Sequence, residues 1–528
     1  MAQVKLVKAF ALISAAALLA SGACAQIPPA RASTRSGAVR GVIDDGIAIF
    51  RGIPYAAPPV GELRWRAPRP PAPWRDVRDA TAAGPACPQS GYASSYRGSQ
   101  SEDCLTLNVW TPANFSGASL PVMVWIHGGG FVAGSGARYN GSEFARDGVV
   151  LVTINYRLGR LGFFAHPALA RTNPEGDLAD FGLMDQVAAL KWVRANIGGF
   201  GGDPANVTVF GESAGAMSVN YLLTSPMARG LFNKAIAESG FARAAGRPLA
   251  AAQSDGAAFA KTLGVAGDGP EAAKALRALP LEALARDVPD IAARNSIGPI
   301  IDGVVARETV VQAFARGDQA RVPFIVGGNS FEASLLPGLL KHPDDVLDRL
   351  GAKRDQAVAL FGGGDPAMAA ANIVTLSQVI EPDRFEATQD LRAGVPAYVY
   401  YFSYLPASLR SDVVGAGHGW EIAYVFDRLT KVDIHLPPSE ARVGSSIIPA
   451  ATPADEAMAR AVHAYWVAFA KTGNPDSAGG PAWPASGADG AVMEFGPDGP
   501  VVRPAFDKFK LDLFTAIADR NGGTDARP

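Results

Sequence analysis

The segment that most constrains the fold runs from Asn206 to Leu223. Asn206-Val-Thr-Val-Phe210 is a short β-branched and aromatic run that reads as a buried strand. It passes without a linker into Gly211-Glu-Ser-Ala-Gly215 and then into a helix-compatible stretch. The Gly-x-Ser-x-Gly spacing is weak by itself, because 58 Gly in 528 residues produce such matches by chance. Its place between a strand and a helix changes its meaning. A sharp strand-to-helix turn needs small neighbours, since Cβ atoms would collide there. The turn lifts the serine hydroxyl clear of the backbone and aims the N-terminus of the helix at the group it attacks. Ser213 is therefore the candidate nucleophile.

Other runs fall into the same pattern. Pro121–Ile126 is a short apolar strand that ends in His127-Gly128-Gly129-Gly130-Phe131, and Val149–Ile154 is a second. Val187, Leu190, Val193 and Ile197 recur at helical spacing. Lys234–Ala237, Pro323–Val326 and Ala397–Tyr404 are further candidate strands. Strands that are apolar throughout, alternating with helices, predict an α/β fold with a mostly parallel central sheet covered on both faces. The Ala-rich stretches 245–320 and 335–395 are expected to be helical insertions over that sheet. Successive glycines after Ile126 let backbone N–H groups converge on one point, as a developing oxyanion requires. The expected oxyanion hole consists of the Gly129, Gly130 and Ala214 amides.

The amino terminus reads as a leader. Lys5 and Lys8 precede an apolar stretch over Ala9–Ala20, too short to span a membrane, and Ala23-Cys24-Ala25 has the form of a cleavage site. Residues 1–25 are expected to be a removed signal peptide and 26–528 one α/β domain, exported to the periplasm or secreted, with no membrane span in the mature chain. Lipid anchoring at Cys24 is the rival reading; Ser21-Gly22-Ala23-Cys24 lacks the leucine that starts a lipid-attachment site. Cleavage leaves Cys87 and Cys104, an even pair that predicts a disulfide in an exported protein. With no CxxC, HExxH or GxxxxGK pattern, neither a metal nor a cofactor is expected. A net charge of −2 gives no basic field for nucleic acid.

These motifs together resemble the type-B carboxylesterase and cholinesterase family of α/β-hydrolases. Phe200-Gly-Gly-Asp-Pro-Ala-Asn-Val-Thr-Val-Phe-Gly-Glu-Ser-Ala-Gly215 is similar to its long serine motif, and Glu102-Asp-Cys-Leu-Thr-Leu-Asn-Val-Trp-Thr-Pro112 to its second motif. Phe50–Ala56 and the segment from Gly473 to Pro484 fit as well, so the resemblance spans roughly 33 to 510. It implies His418, in Gly415-Ala-Gly-His418-Gly-Trp-Glu421, as the base. It implies Glu332, in Gly328-Asn-Ser-Phe-Glu332, as the acid, with long helical insertions covering an active-site gorge. From the resemblance alone, Glu212 and Ser239 are expected to brace this triad, and Arg64 to pair with Glu102 near the disulfide.

The implied activity is hydrolysis of small-molecule carboxylic esters through an acyl-enzyme, with no cofactor. The interval between Cys87 and Cys104 holds Tyr92 and Tyr96 but no tryptophan, so the cation–π site of cholinesterases is not indicated. Amidase, lactonase or thioesterase chemistry would use the same residues, and a non-catalytic binding protein on the same fold is the other alternative. Asp302, followed by Gly303, is the rival for the acid because it also lies between Ser213 and His418.

Overall fold

The computed structural model describes residues 29–527 apart from 90–97, 175, 177, 286–296, 337, 430–450, 477–478, 487–489 and 524–526. The expected leader, Cys24, Tyr92 and Tyr96 lie outside the described residues. Fifteen strands are present among the described residues: β1 (Pro29–Thr34), β2 (Gly37–Asp44), β3 (Ile47–Pro54), β4 (Arg78–Asp79), β5 (Thr106–Pro112), β6 (Leu120–Ile126), β7 (Val150–Ile154), β8 (Gly202–Glu212), β9 (Lys234–Glu238), β10 (Arg247–Pro248), β11 (Ile300–Ile301), β12 (Phe324–Asn329), β13 (Ala397–Phe402), β14 (Val492–Gly496) and β15 (Gly499–Arg503). The main sheet runs β1-β2-β3-β5-β7-β6-β8-β9-β12-β13-β14-β15, with β4 added beside β2.

From β7 to β14 every pairing is parallel, and antiparallel strands close both flanks. The centre of the sheet has helices on both faces, so its strands are buried on both sides. All five residues of β7 and all five of β9 are buried. This is the mostly parallel, helix-covered sheet that the alternating apolar runs imply, and the α/β-hydrolase architecture that the resemblance implies. The helix Phe181–Asn196, which carries Val187, Leu190 and Val193, packs in the main core, while Ile197 opens a short 3-10 turn.

The order β7-β6-β8 contains a reversal: the chain leaves β6 outward to β7 and then returns past β6 to β8. Neighbouring connections diverge at such a switch point, which opens a crevice at the carboxyl ends of the strands where ligands bind. The His127–Gly130 loop leaves the end of β6, and Ser213 follows the end of β8.

The sequence expectation needs three corrections. β8 starts at Gly202, and the sheet edge β1–β3 has no counterpart among the expected strands. The stretch 245–320 is not wholly helical: besides helices such as Leu249–Thr262 and Pro270–Arg277, it forms the parallel β10–β11 pair. Pro248 has no N–H for a helix interior, and Ile300 is fully buried, which favours an extended pairing there. The insertion after β12 is helical, with Arg354–Gly362, Pro366–Thr375 and Glu381–Arg392 preceding β13. Among the described residues no single helix is long and apolar enough to cross a membrane.

Candidate active site

Ser213 stands between β8 and the helix Ala214–Thr224 with φ 56° and ψ −123°, the strained conformation of a strand-to-helix elbow. Its own amide donates to Glu238 O at 2.9 Å, tying the turn to β9. The flanking glycines are required by close approach. A Cβ on Gly215 would lie 2.0 Å from Ile126 O, and one on Gly211 would lie 2.5 Å from the same carbonyl. The elbow is thus pressed against the end of β6, and only hydrogen fits at both positions.

The loop after β6 abuts the elbow from the other side. A Cβ on Gly128 would fall 2.7 Å from Glu212 Oε2 and 3.0 Å from Ser213 Cβ. Gly129 and Gly130 then take φ 107° and 61°, and their amides meet no protein acceptor among the described residues. The Ala214 amide, first in its helix, has no intrahelical acceptor either. The three expected oxyanion donors therefore sit on adjacent chain segments beside Ser213, with no protein acceptor among the described residues. His127 supports the loop: its Nδ1–H donates to Gly128 O at 2.8 Å, and its ring stacks on Tyr156. Burial lowers its pKa to about 4, so this imidazole stays neutral.

Glu332 follows β12, and His418 lies in the loop after β13. His418 Nδ1–H donates to Glu332 Oε2 at 2.5 Å. The other oxygen, Oε1, accepts from Ser239 Oγ at 2.6 Å and from the Asn329 amide at 2.7 Å. The two loops are laced together: Phe331 N donates to Ala416 O, Ser334 Oγ accepts from His418 N at 2.9 Å, and Asn329 Nδ2 donates to Gly417 O and Glu421 Oε2. His418 Nε2 lies 3.0 Å from Glu212 Oε1, but off the line of a hydrogen bond, so neither atom is satisfied among the described residues.

Burial by itself would lower the pKa of His418; the charges of Glu212 and Glu332 override it and raise the group to about 9. Burial raises Glu212 to about 7 and Glu421 to about 8, against the counter-pull of His418. Burial, with Glu421 beside it, also raises Glu238 well above the usual carboxylate range. The imidazole is thus surrounded by acids that compete for few protons.

Other residues singled out in the sequence fall outside this cluster. Arg64 pairs with Glu102 through Nε at 2.8 Å and Nη2 at 2.6 Å, and Cys87 is bridged to Cys104. Asp302 is engaged elsewhere: its Oδ1 accepts from the Val304, Val305 and Ala306 amides, closing a turn beside Asp180. Asn329, Ser334, Glu421 and Phe241 line the site without having been singled out. Asn329 and Glu421 stand inside the two motif segments, three residues from Glu332 and His418, and that proximity was the available signal. Among the described residues no group of three or more His, Cys, Asp or Glu could hold a metal ion.

The model of the carboxylesterase family matches residues 28–356 and 365–508. The chain is 38% identical over 486 residues to the fumonisin B1 esterase of Sphingopyxis macrogoltabida, covering 88% of this chain and 86% of that protein. It is 38% identical over 471 residues to the para-nitrobenzyl esterase of Bacillus subtilis (strain 168), covering 84% and 90%. Among solved structures, a PNB esterase superposes with a TM-score of 0.76 at 32% identity, covering 91% of this chain and 98% of that one. A Geobacillus stearothermophilus carboxylesterase superposes with a TM-score of 0.76 at 33% identity, covering 90% and 98%.

Proposed function

The chain belongs to the carboxylesterase family and is a carboxylic ester hydrolase, and from that premise we propose that Ser213, His418 and Glu332 carry the reaction. Ser213 Oγ attacks the ester carbonyl while His418 Nε2 takes its proton. The carbonyl oxygen, now negative, is received by the Gly129, Gly130 and Ala214 amides. The tetrahedral intermediate collapses, the C–O bond to the alcohol breaks, and His418 hands its proton to the departing oxygen. Water, deprotonated by the same imidazole, then attacks the acyl-enzyme and releases the acid.

The observation that carries this reading is the fixing of Glu332. Donors from Ser239, the Asn329 amide and His418 hold its carboxylate in one orientation. Nδ1 of the imidazole therefore keeps its hydrogen, and Nε2, which has no hydrogen-bond partner among the described residues, is left to act as the base. Glu212 acts on the imidazole from the elbow side through its charge, and Ser239 braces Glu332. A phosphonate ester that traps activated serines should give one adduct, on the peptide bearing Ser213. An adduct on another serine with full loss of turnover would move the nucleophile elsewhere.

The substrate is a small-molecule ester. We further infer that residues 1–25 are a removed leader, that 26–528 form one domain, and that the protein acts in the periplasm or outside the cell. The Cys87–Cys104 bridge supports an oxidising compartment. Intact mass of the exported protein should place its first residue at Gln26; a diacylglyceryl mass on Cys24 would replace secretion with anchoring.

A further inference from the structure

The segment that leaves β9 does more than brace Glu332. Ser239 and Phe241 both adopt left-handed backbone, with φ 59° and 47°. A bulky aromatic residue in that region is strained, and persists only where its surroundings impose it. Ala244 N donates to Phe241 O at 2.8 Å and closes the turn. Two residues on, Arg243 is buried in a two-point ion pair with Glu381, at 2.6 and 2.7 Å, and donates to Gly523 O. Gly240 is wedged between these residues, with the Asn220 amide 2.8 Å from where its Cβ would be.

The result of this clamping is the position of one ring. Phe241 lies with its centroid 5.7 Å from that of His418, tilted by 55°, and packs on the apolar cluster around Phe331 and Ala333. The imidazole is thereby held on one edge by Glu332 and against its ring by Phe241. In the triad reading its free Nε2 serves the Ser213 hydroxyl, and Glu212 Oε1, 3.0 Å away, competes for it. We propose that Phe241 is a positioning residue: its ring packs against the imidazole of His418 and keeps Nε2 out of line with Glu212 Oε1, so that it stays available to Ser213.

This inference rests on the triad reading above. Its consequences follow from the charges that face the imidazole, namely Glu212 at the end of β8, Glu332 after β12 and Glu421 on its own loop. Without that ring the imidazole turns until Nε2–H lines up with Glu212 Oε1, the imidazolium form is favoured, and a higher pH is needed to free the base.

The test is kinetic, on the full-length mature protein with p-nitrophenyl butyrate as the probe. Phe241→Gly suits left-handed backbone and should fold, as circular dichroism would verify. It should lower kcat about tenfold with a smaller change in KM, and move the acid limb of kcat/KM to higher pH. Phe241→Tyr keeps the ring and should restore most of the rate and the original limb. Phe241→Gly with kcat within twofold of the parent and an unmoved limb overturns the proposal. So does an equal loss in both variants with the limb unmoved, which would make the residue one of bulk packing. Ser213→Ala is assayed in parallel: if it still turns over, the triad reading falls and this inference with it, whereas a dead Ser213→Ala beside wild-type Phe241 variants removes this inference alone.

Discussion

Two sets of buried carboxyl groups lie near each other in this protein, and they are treated in opposite ways. Glu332, after β12, is met by three donors, so its carboxylate is organised and aimed at His418. Asp383, on the helix Glu381–Arg392, is fully buried, and neither of its oxygens has a protein partner among the described residues. Burial drives Asp383 well above the usual carboxylate range, with Glu332 and Glu381 adding to it, and raises Asp390 to about 7. Burial without partners thus makes a carboxyl hold its proton, while converging donors fix a carboxyl in one orientation. The difference lies in where the loops bring N–H and O–H groups, not in the residue type.

That contrast can be tested at four points. Ser213→Ala should have the largest effect, a loss of about 10⁴-fold or more in kcat with the fold retained, as progress curves and circular dichroism would check. Turnover within tenfold of the parent would end the assignment. Next, Glu332→Gln should lower kcat by roughly two to four orders of magnitude, because an amide can reverse the hydrogen-bond polarity at Nδ1. Asp302→Asn, assayed beside it, should stay within a few-fold of the parent; the opposite ranking would transfer the acid role to Asp302.

A smaller change is expected at Glu212. The imidazole must be neutral to accept the serine proton, so kcat/KM should rise with pH through an acid limb above the ordinary histidine value, since Glu212 and Glu332 raise His418 to about 9. Glu212→Gln removes one of those charges and should move the limb to lower pH. A limb that stays in place would show that Glu212 does not act on the base. The smallest effect belongs to the unpartnered set. Asp383 holds its proton to higher pH folded than unfolded, so its contribution to stability falls as pH rises from the usual carboxylate range towards the folded value. Asp383→Asn removes that loss. Its melting temperature relative to the parent should gain about 1–3 °C between pH 5 and pH 8, with little change in kcat. A widening deficit at pH 8 would mean that Asp383 is an ionised partner in the fold.

The sequence by itself determined the central machine. The apolar runs that become β6, β7, β8, β9, β12 and β13 and the elbow at Ser213 are local patterns, legible because a buried parallel strand must be apolar throughout and a tight turn must be small. The resemblance added His418 and Glu332, and Cys87 with Cys104 pointed to the bridge. Tertiary structure decided the rest. β1, Pro-Ala-Arg-Ala-Ser-Thr, is a half-exposed edge strand with alternating burial, too polar to announce itself. The Asn329–Glu421 contact spans 92 residues of chain, and Phe241, in the loop after β9, reaches His418 in the loop after β13. Such meetings depend on which loops the parallel strands deliver to the same end, and no local pattern encodes that. Hydrophobic periodicity is a property of neighbours in sequence, whereas orientation of a charge is a property of neighbours in space.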